Sequence, residues 1–147
     1  MRLSLAQCWS LLTAEERGIL STLNAHETID AVPVCFAVVG QSIVSPVDRI
    51  KPKETVDLAR VWNARHTGTA TLLCDHWDPD DWSRLWWVRA HLVLRAGGPP
   101  AEVAPFEDAL RQKYRQYRDA DFAHLLIFDV ERLIGWTAGS PDQVAPK

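Results

Sequence analysis

The sequence predicts a mainly β protein of the α+β class, an antiparallel barrel or sheet with helical insertions. Two observations carry that prediction: six β-rich runs are divided by turn residues, and strand and helix never alternate as they do in a parallel sheet. A chain of 147 residues is long enough for one domain with its own core and short for two, so residues 1–147 are read as one unit. Within it, 1–15 form an amino-terminal helix and 139–147 a polar tail.

Taken in order, Leu5, Cys8, Trp9 and Leu12 recur at helical spacing behind Ser4, a natural cap, and the helix continues or restarts at Thr13 to Glu16. "ILSTLNA", "DAVPVCFAVVG" and "QSIVSPV" are then three short β-rich runs, with Asn24, Asp30 and Gly40-Gln41 as turn residues. "KETVDLARVWNAR" changes to helical period, with Val56, Leu58, Ala59 and Trp62 on one side. "TGTATLLCD" and "WSRLWWVRAHLVLRAG" return to strand, and Gly97-Gly98-Pro99-Pro100 breaks the chain. The helix "EVAPFEDALRQKYRQY" leads into a last strand, "HLLIFDVERLIGWTA".

The composition, 47% hydrophobic and 24% charged, is that of a folded globular chain. A net charge of −3 gives no broad basic face for nucleic acid or an anionic membrane. Cys8, Cys35 and Cys74 are odd in number and lie among apolar residues. That pattern suits reduced, buried thiols and a cytoplasmic location. No stretch is long and apolar enough to span a bilayer, and the amino terminus lacks the apolar run of a signal peptide.

Two constellations stand out. Read as one strand, Trp82 to Arg95 places Trp82, Arg84, Trp86, Val88, Ala90, Leu92 and Leu94 on a core face. The other face interleaves Leu85, Trp87 and Val93 with Arg89, His91 and Arg95. It fits either a wet interface or ligand site, or an amphipathic outer wall capped by tryptophan. The second constellation, "VDRIKPKETVDLAR", places Arg49, Lys51 and Lys53 between a strand end and a helix start near Pro52. The cations and helix amides there form an anion trap suited to phosphate, unless the segment is simply a solvated turn. "CDHWDPDD" has neither EF-hand nor zinc spacing and reads as an N-capped acidic turn, so no metal is expected. Cys35 reads as a small mid-strand hydrophobe, and no nucleophile or paired-carboxylate set stands out. Any chemistry is therefore that of a cofactor.

In order and motif, "ERGILSTLNA", "AVPVCFAVVG", "VDRIKPKETVDLARVWNAR" and "TATLLCDHWDPDDWSRLWWVR" resemble the pyridoxamine-5'-phosphate-oxidase-like split β-barrel superfamily of flavin and deazaflavin oxidoreductases, over about Glu16 to Trp136. "VDRIKPK" and "DHWDPDDWSRLWWVR" are similar to its branch named as coenzyme F420-dependent oxidoreductases. The resemblance implies a homodimer of six-stranded split barrels with two cofactor sites at the subunit interface. It implies cofactor phosphate on Arg49, Lys51 and Lys53, and backbone against the ring at Pro33, Val34, Cys35 and Phe36. It also implies Trp77, Trp87 and Arg89 beside the cofactor, with Trp136 either walling the pocket from the partner subunit or packed in the core, and Arg60 or Arg65 facing the oligoglutamate tail of F420. Hydride transfer with a small unsaturated substrate is the implied activity. An FMN- or heme-binding split barrel, or a cofactor-binding dimer without turnover, is the alternative. Two departures bear on substrate. His91 stands where relatives carry a small residue, and "HETIDAVPV" has no glycine in the first hairpin.

Overall fold

The structure, a computed structural model, describes residues 1–50 and 58–146. Helix α1 spans Leu5–Ala14 and is entered through a capping box. The Gln7 amide donates to Ser4 Oγ at 3.3 Å while the Ser4 amide donates to Gln7 Oε1 at 2.9 Å. The helix stops at Ala14, short of the expected Glu16, with extended backbone at Glu15.

Seven strands follow among the described residues: β1 (Gly18–Leu23), β2 (Ile29–Val34), β3 (Ala37–Val39), β4 (Ser42–Asp48), β5 (Thr69–His76), β6 (Trp86–Leu94) and β7 (Phe122–Thr137). They form one antiparallel sheet in the order β2-β1-β5-β6-β7-β4-β3. Leu20, Val34, Ile43, Val47, Leu72, Val88 and Leu126, from strands far apart in that order, share one apolar cluster. A sheet whose distant strands meet in one core must curl upon itself, which makes this a split barrel.

The extra strand comes from one interruption. The run from Asp30 to Gly40, expected as a single strand, breaks at Cys35 and Phe36, so its halves become the two opposite edges of the sheet. The cause lies 78 residues away, where the Tyr114 hydroxyl accepts from the Phe36 amide at 3.0 Å. That oxygen also lies 2.8 Å from the Phe36 carbonyl and 2.6 Å from the Glu16 carbonyl, its one proton serving one of them. Polar groups that would have joined a ladder are satisfied by a side chain instead. Edge strand β2 carries Pro33, a residue with no amide to offer a further strand.

Helix α2 (Ala59–Thr67) lies on β1, and α3 (Pro100–Lys113) lies on β3. The rotation of α2 differs from the one expected: Val61, Asn63 and Ala64 are buried, while Trp62 is 48% exposed and stacks on His66 at 4.6 Å. The buried Asn63 amide sets that rotation by donating to Thr22 Oγ1 at 3.0 Å and Asp30 Oδ2 at 2.9 Å, and a polar anchor of this kind outweighs one exposed indole. Asp30 is accordingly a strand residue and not a turn residue. The expected helix start at Pro52 lies outside the described residues, and α2 begins at Ala59.

Every residue of β4 is buried, because Ile43 and Val47 enter the barrel core while Val44 joins Phe106, Leu110 and Tyr117 under α3. The tryptophan-rich segment also needs correcting. Trp82–Arg84 is a 3₁₀ turn capped by Asp81, whose carboxylate accepts from the Ser83 amide at 3.0 Å. The strand therefore begins at Trp86 and ends at Leu94. Trp82 (65% exposed) and Arg84 leave the expected core face, Leu85 precedes the strand, and Arg95 follows it, paired with Asp129 at 2.6 Å. From Trp86 onward the alternation holds, with Trp86, Val88, Ala90 and Leu92 buried. No helix among the described residues is long and apolar enough to cross a membrane.

Candidate functional site

The residues singled out from the sequence fall into separate groups. On the outer face of the sheet, Trp87 of β6 stands opposite Trp136 of β7, and the Arg89 guanidinium lies 5.4 Å from the Trp87 ring centre. Arg89 Nε is buried and has no hydrogen-bond partner among the described residues. His91, two residues on, faces a shallow groove that Ser21, Ile29, Thr71 and Glu131 also line. Trp77 joins a different pair: exposed after β5, it packs on Trp82 at 5.5 Å with the rings tilted by 46°. That turn is the acidic one expected, with Asp78 accepting from the Asp80 amide at 3.0 Å and ion-paired to Arg84 at 2.9 Å.

The second group gathers where the sheet splits. Pro33 and Val34 end β2, and Cys35 occupies the break. It is half-buried and not mid-strand, and its carbonyl accepts from Ser45 Oγ at 3.1 Å. β4 ends at the buried Asp48, whose carboxylate accepts from the Ile50 amide at 3.0 Å and from the Tyr117 hydroxyl at 3.1 Å. Arg49 is exposed on this turn, and Lys51 and Lys53 lie outside the described residues.

Cys35 and Ile50 face an open cleft of about 410 Å³ that Glu16, Lys113, Tyr114 and Tyr117 also line. Burial raises the hydroxyl pKa of both tyrosines. Arg60, reaching from α2, is half-buried, and its Nε has no hydrogen-bond partner among the described residues. Burial lowers its pKa, while the Asp48 carboxylate pulls the other way. The Lys113 ammonium sits 4.1 Å over the Phe36 ring, likewise without a hydrogen-bond partner among these residues, and burial lowers its pKa. Two cations with buried, unused donors, each within the influence of Cys35, suit an anionic ligand, since an unsatisfied buried donor is otherwise costly.

Lys113, Tyr114 and Tyr117 escaped the sequence reading, which took "QKYRQY" only as the end of a helix. The available signal was positional: Phe106, Leu110 and Lys113 follow one another at i, i+4 and i+7, so a lysine occupies a position on the buried stripe. Cys8 and Cys74 are free and buried, as expected of them.

The chain shares the fold of its curled seven-stranded sheet with solved structures described as putative pyridoxamine 5'-phosphate oxidases, from Corynebacterium glutamicum and Listeria innocua. Among solved structures, the chain is similar to a conserved hypothetical protein from Mycobacterium tuberculosis, at 14% identity and TM-score 0.72 over 92% of this chain and 86% of that one. It is similar to the FAD binding protein from Mycobacterium smegmatis at 19% identity and TM-score 0.64, over 92% and 96%. A heme binding protein from the same organism matches at 16% identity and TM-score 0.68, over 94% of this chain and 60% of that one. At these identities the likeness concerns fold. No family model and no curated protein matches the chain.

Proposed function

We propose that the protein is a coenzyme F420-dependent oxidoreductase that works as a homodimer and transfers a hydride to or from a small unsaturated organic substrate. The observation that carries this reading is the cationic end of β4. There Arg49 is exposed on the turn after Asp48, and the Arg60 guanidinium, its Nε without a hydrogen-bond partner among the described residues, lies within the influence of Asp48 and Cys35. Such a donor set fits the phosphate of a nucleotide-like cofactor, and a guanidinium such as that of Arg60 also suits further acidic groups beyond it.

When bound, the deazaflavin supplies or takes up the hydride. The chain's own residues do the rest. Arg49 and Arg60 would neutralise and orient the phosphate, while the extended backbone of Pro33 and Val34, ending at Cys35, would give a flat edge for a ring. The Tyr114 hydroxyl holds that edge by its bond to the Phe36 amide. Trp87, Trp136 and the buried Arg89 Nε form an outer face that a second copy would cover, excluding water and satisfying the arginine.

Titration of the purified protein with F420 and with FMN, followed by quenching of tryptophan emission, tests the reading. F420 binds more tightly, and Arg60→Met weakens it by about 1–3 kcal/mol, the range for a hydrogen bond to a charged group. Tighter FMN binding overturns the deazaflavin assignment in favour of a flavin protein, which the likeness to the FAD binding protein already supports as the second reading. A heme band in the visible spectrum of the isolated protein would make it a heme-binding split barrel instead. Saturable F420 binding without turnover would make it a cofactor carrier, and sedimentation at a single chain's mass would remove the dimer.

A further inference from the structure

The cleft at the sheet's split has chemistry that phosphate binding does not use. Four of its lining residues, Lys113, Tyr114, Tyr117 and Cys35, come from the end of α3, the turn after it and the link between β2 and β3. Both tyrosine hydroxyls are spent internally, on the Phe36 and Glu16 backbone and on Asp48, so the tyrosines offer mainly ring surface. Their rings lie 5.2 Å apart, tilted by 59°. Lys113 alone among these keeps its donors unused: its Nζ is buried against the Phe36 and Tyr114 rings, at 4.1 Å and 5.6 Å, with no hydrogen-bond partner among the described residues. An ammonium held against rings gains some cation–π attraction, but its three donors remain unsatisfied. Glu16 and the exposed Arg115 stand at the rim, where the carboxylate opposes a second negative charge on any occupant.

We propose that this cleft binds a small conjugated monocarboxylate, its charge paired with Lys113 and its flat carbon skeleton lying against Tyr114, Tyr117 and Ile50. A volume of about 410 Å³ accommodates such a molecule. The assignment of this ligand as the substrate rests on the proposed function, because Cys35 both lines the cleft and belongs to the segment proposed to lie against the cofactor ring. Lys113 is then a specificity-determining residue, selecting anionic over neutral unsaturated compounds.

The test needs no cofactor. Calorimetric titration with trans-cinnamate and with its neutral amide compares two molecules of nearly the same shape. The carboxylate binds about tenfold more tightly or better, the effect of one charge-assisted contact. Lys113→Met keeps the apolar stem over Phe36 and abolishes the preference, whereas Arg115→Gln retains it. Independently of any variant, cinnamate slows alkylation of Cys35 by iodoacetamide in the natural protein. Equal affinity for acid and amide, a preference surviving in Lys113→Met, or unprotected Cys35 at saturating cinnamate would overturn the proposal. Those failures leave the cofactor reading standing, and failure of the F420 and FMN titrations leaves the cleft standing.

Discussion

The first hairpin stores strain that one substitution releases. Glu27 adopts φ 60°, the only non-glycine residue with positive φ among the described residues. Asn24 holds it there: its side-chain oxygen accepts from the amides of His26 at 2.9 Å and Thr28 at 3.1 Å, and its amide donates to Thr28 Oγ1 at 2.7 Å. The Glu27 amide in turn donates to the Asn24 carbonyl at 3.1 Å. An L-residue in the left-handed region costs about 1–2 kcal/mol. Glycine removes that cost but loses about 0.4–1 kcal/mol through its greater freedom in the unfolded chain. Glu27 is exposed, and its side chain has no hydrogen bond or ion pair among the described residues that would be forfeited. Glu27→Gly therefore stabilises the protein by about 0.5–1 kcal/mol, or about 2–3 °C in Tm for a chain of this length. Glu27→Asn gains less, and Glu27→Val loses stability because its branched carbon meets the backbone. Urea unfolding by far-ultraviolet circular dichroism orders the three variants. A Glu27→Gly midpoint at or below that of the natural protein would refute the reasoning.

Two further outcomes follow from packing and burial. Gly135→Ala destabilises by about 1–3 kcal/mol in the same assay, because a Cβ at Gly135 would meet Cys8 Sγ at 2.6 Å and Leu3 Cδ1 at 3.0 Å; an unchanged midpoint would mean the amino-terminal segment is free to move away. Burial pushes the Cys74 thiol pKa up to about 12, with the nearby Glu15 acting in the same direction. The folded chain thus keeps a proton that the unfolded chain releases above about pH 8.5, so stability falls as pH rises from there. Cys74 contributes up to about 1.4 kcal/mol per pH unit of that fall. Cys74→Ala flattens the slope of stability between about pH 8 and about pH 10, and equal slopes in the two proteins would exclude the thiol as its source.

Much of the fold was legible because it rests on local patterns. Alternation marked Val88, Ala90 and Leu92 as core, and Ser4 marked the start of α1. What could not be read depended on partners distant in sequence. The break at Phe36 is caused by Tyr114, and the facing of α2 is caused by Asn63 finding Thr22 and Asp30. The 3₁₀ turn at Trp82 is a different case, since Asp81 two residues before Ser83 is a local capping signal that the tryptophan pattern overshadowed. Of the candidate residues read from the sequence, Cys35 and Arg49 lie at the split end of the sheet. Lys113 was missed because a helical stripe is read as core unless its polar members are weighed separately.

The two edges of this sheet, β2 and β3, are consecutive in sequence and joined by Cys35 and Phe36 alone. Spreading the barrel at that seam is limited by a covalent tether two residues long, and elsewhere its strands are held by ladders that do not pass through the tether. Cys35 belongs to neither strand, so its side chain, which packs against the cluster of Val44, Phe106 and Tyr117, takes no part in a ladder. In such an architecture the seam between the two sheet edges can be lined differently while the ladders that hold the rest of the sheet stay as they are.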